Sequence, residues 1–312
     1  MTKHLATHFS IETDELDLRL DRLLIKRFPT YSRSYFQYLI ENQSVTINGQ
    51  KVKKREKPKF GDRVEVFFIP PPEMDISPED IPLEILYEDE HLICINKAAG
   101  MVVHPAPGNP DRTFVNALLY HCSTLQKMEN DPRPGIVHRL DKDTSGVLLA
   151  AKTLLSHQKL VELFAARKMD KTYLAITLGN PGEISIKAPI GRNPYKRKEM
   201  SVVIEEGKEA ITFVKPLASN QIFSLVEVKP KTGRTHQIRV HLKSVKTPIL
   251  GDTVYGCDRT NSKYNVARQL LHALSISFIH PFTGELLHLS APIPNDMEEW
   301  ISKIGSKEPK NR

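Results

Sequence analysis

Early in the chain, apolar positions recur in two different periods. Leu20, Leu23, Leu24 and Phe28 return at helical spacing, with Arg19, Arg22 and Lys26 on another face. Pro29 stops that helix. Ser32 is placed to cap a second one, whose apolar side is Phe36, Leu39 and Ile40. The period then changes to two. Val45, Ile47 and Val52 flank Asn48-Gly49, a hairpin signal because a type I′ turn needs positive φ at both central residues. After Gly61-Asp62, Val64, Val66 and Phe68 alternate as a half-buried strand. Two short helices and a small sheet thus form a compact module over residues 16–68, behind a loose arm at residues 1–15.

The stretch from Ile69 to Pro82 holds five prolines and no periodicity, and reads as a stiff linker. A second domain follows over residues 83–304, with a polar tail at residues 305–312. Strands are expected at Ile85–Tyr87, Leu92–Asn96, Ile136–Arg139, Val147–Ala151, Lys171–Leu178, Leu225–Val228, Leu274–Phe278 and Leu286–Leu289. Val115, Leu118, Leu119 and Cys122 suit one helix. Ser156 can cap another that buries Leu160, Leu163 and Phe164. The stretch Arg234–Val245 fits either a strand or a helix capped by Thr235, and the helix is favoured. Many strands with few intervening helices predict an α+β fold with a mixed, largely antiparallel sheet. Neither GxGxxG nor GxxxxGK[ST] occurs, so a doubly wound nucleotide-binding fold is not expected.

Composition narrows the function classes. The chain has 312 residues, with 44 Lys/Arg against 37 Asp/Glu, a formal charge of +7. That excess favours a polyanionic partner only weakly. The basic run Lys51, Lys53, Lys54, Arg55, Lys57 and Lys59 places part of it on the N-terminal module. No apolar stretch approaches the ~20 residues of a membrane span, and the N-terminus does not read as a signal peptide. Cys94, Cys122 and Cys257 lack paired spacing, which argues against disulfides and a cysteine zinc site. The cytoplasm is the expected location, and no metal is expected.

Three polar clusters could carry chemistry. Residues 136–153, IVHRLDKDTSGVLLAAKT, set His138, Arg139, Asp141, Lys142 and Asp143 between two apolar strands, where Asp141 has cations on both sides. Residues 229–242, KPKTGRTHQIRVHL, supply Arg234, His236, Arg239 and His241. In residues 168–179, KMDKTYLAITLG, Tyr173 points away from Leu174, Ile176 and Leu178 and could stack on a nucleobase. Each cluster alone also fits a solvated turn, a basic helix face or a half-exposed strand tyrosine.

Together the clusters resemble the three motifs of the RluA/RluD-type pseudouridine synthases. YEDEHLICINKAAGMVVHP (87–105), PILGDTVYG (248–256) and HPFTG with APIP (280–294) extend the likeness, and the N-terminal module resembles an S4 (αL) RNA-binding domain. The resemblance covers roughly residues 16–300. It implies uridine isomerisation in RNA without a cofactor, by a monomer. Asp141 matches the family's essential aspartate, acting as nucleophile at C1′ or base at C2′. Arg239 matches the arginine that pairs with it, with Arg234 as the alternative. Tyr173 matches the tyrosine that stacks on the target base, and Arg139 the residue that fills the space of the flipped-out uridine. His138, Arg234 and His236, with Arg22, Arg33, Lys53, Lys54 and Arg55 of the S4-like module, are the further residues expected at the RNA. The combination is most similar to the ribosomal large-subunit members, which modify uridines in the helix 69 loop of 23S rRNA. The same chemistry on tRNA or another rRNA site, or a non-catalytic ribosome-assembly factor, are the alternatives.

Overall fold

The computed structural model describes residues 5–29, 31, 33–69, 76–106, 108–127, 133–196, 199–205 and 207–305. The chain divides into two compact units, Met1–Ser77 with Ser123–Pro134, and Pro78–Cys122 with Gly135–Arg312. The cut after Ser77 falls inside the proline-rich segment, whose residues 70–75 lie outside the described residues. The stretch 123–134 groups with the N-terminal unit, whereas the sequence reading put it in the second domain.

The N-terminal unit contains β1 (Leu5–Ser10), α1 (Leu20–Arg27), α2 (Arg33–Glu41), β2 (Val45–Ile47), β3 (Gln50–Lys51) and β4 (Arg63–Phe68). Its antiparallel sheet runs β1-β4-β2-β3. The loose arm expected at residues 1–15 is therefore corrected in part. β1 pairs with β4, Thr7 opposite Val66 and Phe9 opposite Val64, and covers an edge that would otherwise stay open. The hairpin is as expected, with φ of 52° at Asn48 and 75° at Gly49. The apolar faces of α1 and α2 meet the sheet in one core, where Leu20, Leu23, Leu24, Phe36, Leu39, Val45, Val64 and Val66 are wholly buried. Ser32, the expected cap of α2, lies outside the described residues.

The larger unit holds β5 (Ile85–Glu88), β6 (Leu92–Lys97), α3 (Phe114–His121), β7 (Ser145–Ala151), α4 (Leu154–Ala165), β8 (Asp170–Leu178), β9 (Ile184–Lys187), β10 (Ile190–Arg192), β11 (Met200–Val202), β12 (Ile211–Ser219) and β13 (Phe223–Pro230). It continues with α5 (Gln237–Ser244), α6 (Asp258–Tyr264), β14 (Leu271–Ile279), β15 (Leu286–Ser290) and α7 (Asn295–Gly305). A nine-stranded sheet runs β5-β6-β7-β14-β8-β13-β12-β9, with β15 added on β14. Only the β7–β14 pairing in it is parallel. β7 is buried at every position, which is why its sequence is an unbroken run of small and apolar residues. The sheet is mixed and largely antiparallel, and the α+β class holds.

Three local expectations are corrected. Ile136–Arg139 is not a strand; Ile136 makes one isolated bridge to Ala150. α4 starts at Leu154, capped by the Thr153 hydroxyl, which accepts the Ser156 N–H at 3.1 Å. Ser156 sits in the first turn and its own hydroxyl accepts the Thr153 N–H, a reciprocal capping pair. α5 is a helix, but His236 rather than Thr235 precedes it, with φ of 55°. Among the described residues no helix is long and apolar enough to cross a membrane.

Candidate active site

The loop Arg139–Thr144 leaves the isolated bridge at Ile136 and enters β7, and four donors from other segments fix it, three through its backbone carbonyls and one through a side chain. Lys97 Nζ and the Gly100 N–H both reach the Lys142 carbonyl at 2.9 Å. Arg268 donates to the Asp143 carbonyl at 3.1 Å, and Gln269 Nε2 to the Thr144 hydroxyl at 2.9 Å. Lys97 is wholly buried and also donates to the carbonyls of Ala98 and Met101. Burial pushes its ammonium down to about 7 against the pull of Asp143 and Asp141. Gly146 ends the loop at φ 107°, and a Cβ there would collide with the Ala273 carbonyl on β14. Only glycine permits the parallel approach of β7 and β14 at this point.

Asp141 lies at the centre of this loop. Its Oδ2 accepts from Arg239 Nη1 at 2.9 Å, and its Oδ1 lies 3.8 Å from His236 Nε2. Arg239 projects from α5 and is buried. Its remaining donors grip Asp252 in a bidentate pair, Nε to Oδ2 at 2.7 Å and Nη2 to Oδ1 at 2.9 Å. Burial alone would weaken the guanidinium charge; Asp252 and then Asp141 hold it above its ordinary value. Asp252 is wholly buried, yet Arg239 and the N–H groups of Tyr255 and Val254 keep its carboxyl below the usual range. The result is a buried Asp252–Arg239 strut with one arginine nitrogen left to hold Asp141. Arg234 does not compete. Its Nε donates to the Glu209 carbonyl at 2.9 Å, so of the two arginines considered from sequence, Arg239 is the partner.

His236 and Tyr255 complete the network. The Tyr255 hydroxyl accepts the Met200 N–H at 2.8 Å and lies 2.8 Å from His236 Nδ1. That contact leaves Nε2 on the side of Asp141. Burial lowers the His236 pKa, opposed by Asp141. His236 and Asp141 thus share the site without a full ion pair.

The cavity before this network encloses about 540 Å³. Its walls bring together Asp141, Arg239, Tyr173, Arg139, His138, Arg234 and His236, while Lys142, Asp143 and His241 of the same sequence clusters do not line it. Tyr173 on β8 is half-buried, and burial, followed by the charge of Asp141, pushes its phenol up, so it is neutral. Arg139 is exposed and makes no hydrogen bond or ion pair among the described residues. His138 lines the cavity as a neutral ring. Its Nε2 accepts the Leu149 N–H at 2.9 Å, its ring stacks on Phe164 at 4.8 Å, and burial pushes its pKa down to about 3. It is a neutral anchor for the loop.

In the N-terminal unit Arg22, Lys53 and Arg55 are exposed, and their side chains make no hydrogen bond or ion pair among the described residues. Lys54 pairs with Glu41 at 2.8 Å. The side chain of Arg33 lies outside the described residues. Sequence reasoning missed Asp252, Tyr255 and Lys97. Asp252 and Tyr255 stand in GDTVYG, where Gly251 at φ 80° approaches the Arg268 carbonyl too closely for any Cβ. That paired glycine and acid were the available signal.

A family model described as RNA pseudouridylate synthase matches residues 91–244, and an S4 domain model matches residues 18–64. The uncharacterized RNA pseudouridine synthase YlyB of Bacillus subtilis is 41% identical over 92% of this chain and 94% of its own. The chain belongs to the RNA pseudouridine synthases. Ribosomal large subunit pseudouridine synthase D of Xanthomonas campestris is 39% identical to this synthase, covering 92% of this chain and 88% of its own. The solved human RNA pseudouridylate synthase domain containing 4 shares 26% identity at a TM-score of 0.56, over 73% of this chain and 95% of its own. The synthase is thus an isomerase acting on RNA, with an S4 domain ahead of its catalytic domain. Its cavity presents a carboxylate held by a buried arginine and is lined by the rings of Tyr173 and Phe164.

Proposed function

We propose that this synthase isomerises uridine in the large-subunit ribosomal RNA, in the helix 69 loop of 23S rRNA, with Asp141 as its catalytic carboxylate. One observation carries the assignment of Asp141. Its carboxylate lies on the floor of the cavity, 2.9 Å from an arginine locked by a second, buried aspartate. Breaking the C1′–N1 bond needs an ionised oxygen at the sugar, whether it attacks C1′ or removes the C2′ proton. The Arg239 fork favours the ionised form and aims it. Tyr173 stacks on the base so that the detached ring turns in place. Arg139, free at the cavity wall, fills the vacancy left in the RNA and offsets part of the few kcal/mol that unstacking costs. Arg22, Lys53 and Arg55 of the S4 domain hold phosphates. The reaction has no net redox change and adds no group, so the chemistry calls for no cofactor. The RNA target rests on relatives named ribosomal large subunit pseudouridine synthase D, 37% to 42% identical over most of this chain. An rRNA substrate in turn makes the cytoplasm the place of action.

Pseudouridines are to be mapped in total RNA from cells with the gene, without it, and with Asp141→Asn in its place. The helix 69 uridines should be unmodified in the second and third. A deficit confined to tRNA would overturn the target, and normal modification by Asp141→Asn would overturn the carboxylate.

A further inference from the structure

Of the cations that line the cavity besides Arg234 and Arg239, Arg167 and Lys231 pair with Glu209 and Asp170 and Arg139 has the role proposed above, which leaves Lys171. Lys171 stands two residues before Tyr173 on β8, and alternation along a strand turns both side chains to one face. Both line the cavity that holds Asp141. Lys171 is half-buried, and its ammonium makes no hydrogen bond or ion pair among the described residues. Its Nζ lies 5.9 Å from the centre of the Phe164 ring. His138, stacked on that ring, is neutral and offers no counter-charge. Burial lowers the Lys171 pKa. Withdrawing a cation from water against aromatic walls is costly unless an anion arrives there.

The order of groups says which anion. Asp141 is held by Arg239, whereas Lys171 lies by the Phe164 ring, on which His138 stacks, and Tyr173 lines the same cavity. Positions i and i+2 of a strand lie about 6.6 Å apart. A uridine with its ribose at Asp141 and its base on Tyr173 turns the edge opposite N1 toward Lys171. We propose that the Lys171 ammonium stabilises the detached uracil anion by donating to the carbonyl oxygen on that edge.

The balance of the reaction makes one donor sufficient. When C1′–N1 breaks, the bonding pair stays on uracil and spreads over N1, O2 and O4. The ring turns about its N3–C6 axis, exchanging N1 with C5 and O4 with O2. C5 then gives a pair to C1′, displacing the Asp141 oxygen if it had bonded there or with the C2′ proton returned if Asp141 had removed it; the C5 proton passes to solvent, and N1 takes one proton up. O4 faces Lys171 before the turn and O2 after it, so the same bond serves substrate and product. It is strongest in the anion between them, where donor strength accelerates the reaction.

This assignment rests on the roles proposed for Asp141 and Tyr173. Its test compares two leaving groups in the full-length enzyme. Total RNA is prepared from cells lacking the gene, grown with [5-³H]uridine or with labelled 5-fluorouracil. Fluorine withdraws electrons and makes the base a better leaving anion. Single-turnover tritium release and 5-fluorouridine consumption are then measured for wild type, Lys171→Met, Lys171→Arg and Asp141→Asn. Lys171→Met should slow uridine turnover about 10²–10³-fold, as loss of a donor to a developing oxyanion does. Its defect on 5-fluorouridine should be at least tenfold smaller. RNA affinity should be unchanged, and Lys171→Arg should recover most of the rate. Equal defects on both RNAs, a defect explained by lost affinity, or no defect would each overturn the role of Lys171. Activity in Asp141→Asn would instead overturn the site reading beneath it.

Discussion

In the N-terminal unit, Lys26–Asp14, Lys54–Glu41 and Lys57–Asp17 pair on the surface, each side chain at least 43% exposed. In the catalytic unit, Arg239 is 6% and Asp252 0% exposed at the same kind of distance. Glu15 and Asp21 are the N-terminal exceptions, each buried under one arginine. Similar bonds therefore do different work. Exposed pairs are screened and contribute ~0–1 kcal/mol. The buried strut is strongly felt when one member is lost, because the other is left as an uncompensated charge. What it secures is the orientation of Asp141, whereas the surface pairs engage Lys26, Lys54 and Lys57 and the side chains of Arg22, Lys53 and Arg55 make no ion pair among the described residues.

The sharpest way to break this comparison is Asp252→Ala. It strands the Arg239 guanidinium and frees it to swing, so we expect a loss of about 3–5 kcal/mol in denaturant unfolding. Turnover should collapse even where the protein remains folded. A cost near that of a surface pair would show that the strut is not rigid.

An acid titration tests the second buried feature. His138 titrates at 6.5 in the unfolded chain but at about 3 in the fold, where its Nε2 is the acceptor for Leu149. Between those values the unfolded chain binds a proton that the native protein does not. Stability is therefore present above pH 6.5 and is lost as pH falls toward 3, by at most about 1.4 kcal/mol per unit. Buried His236, His241 and His272 are shifted the same way, so the informative quantity is a difference. His138→Gln retains an acceptor but does not titrate. Wild type minus His138→Gln should show the slope of one proton, and a flat difference would remove His138 from the account.

Much of this was legible in the sequence where local pattern decided the outcome. The Asn48-Gly49 hairpin, the β8 alternation and the buried run of β7 followed from turn chemistry and period. The resemblance brought Asp141, Arg239 and Tyr173 together correctly. The strut was not legible, because Asp252 is thirteen positions from Arg239 and only tertiary folding makes it a partner. Lys97 was equally hidden: a lysine beside an apolar strand reads as exposed, yet it is buried under three carbonyls. The neutrality of His138 was not legible either, because it is set by Phe164 and Leu149, remote from HRLD in sequence. The edge strand β1 was missed because its burial alternation is weak and its pairing with β4 spans most of the unit.

The smallest effects lie on the surface of the N-terminal unit, and there the comparison can be sharpened within one module. The side chains of Arg22, Lys53 and Arg55 carry no partner among the described residues, while neighbouring Lys54 is held by Glu41. If free cations contact phosphate, each one removed should lower the slope of log K against log salt by ~0.7–0.9. The triple change Arg22→Ala, Lys53→Ala, Arg55→Ala should reduce it by roughly two to three, with single-turnover rates intact at saturating RNA. Lys54→Ala should change the slope less, because Glu41 already neutralises that ammonium, and should cost under ~1 kcal/mol of stability. Filter binding across a salt series distinguishes the cases. Equal slopes for Lys54→Ala and Lys53→Ala would mean that RNA strips Lys54 from Glu41, and the division between free and paired cations would no longer mark the contact surface.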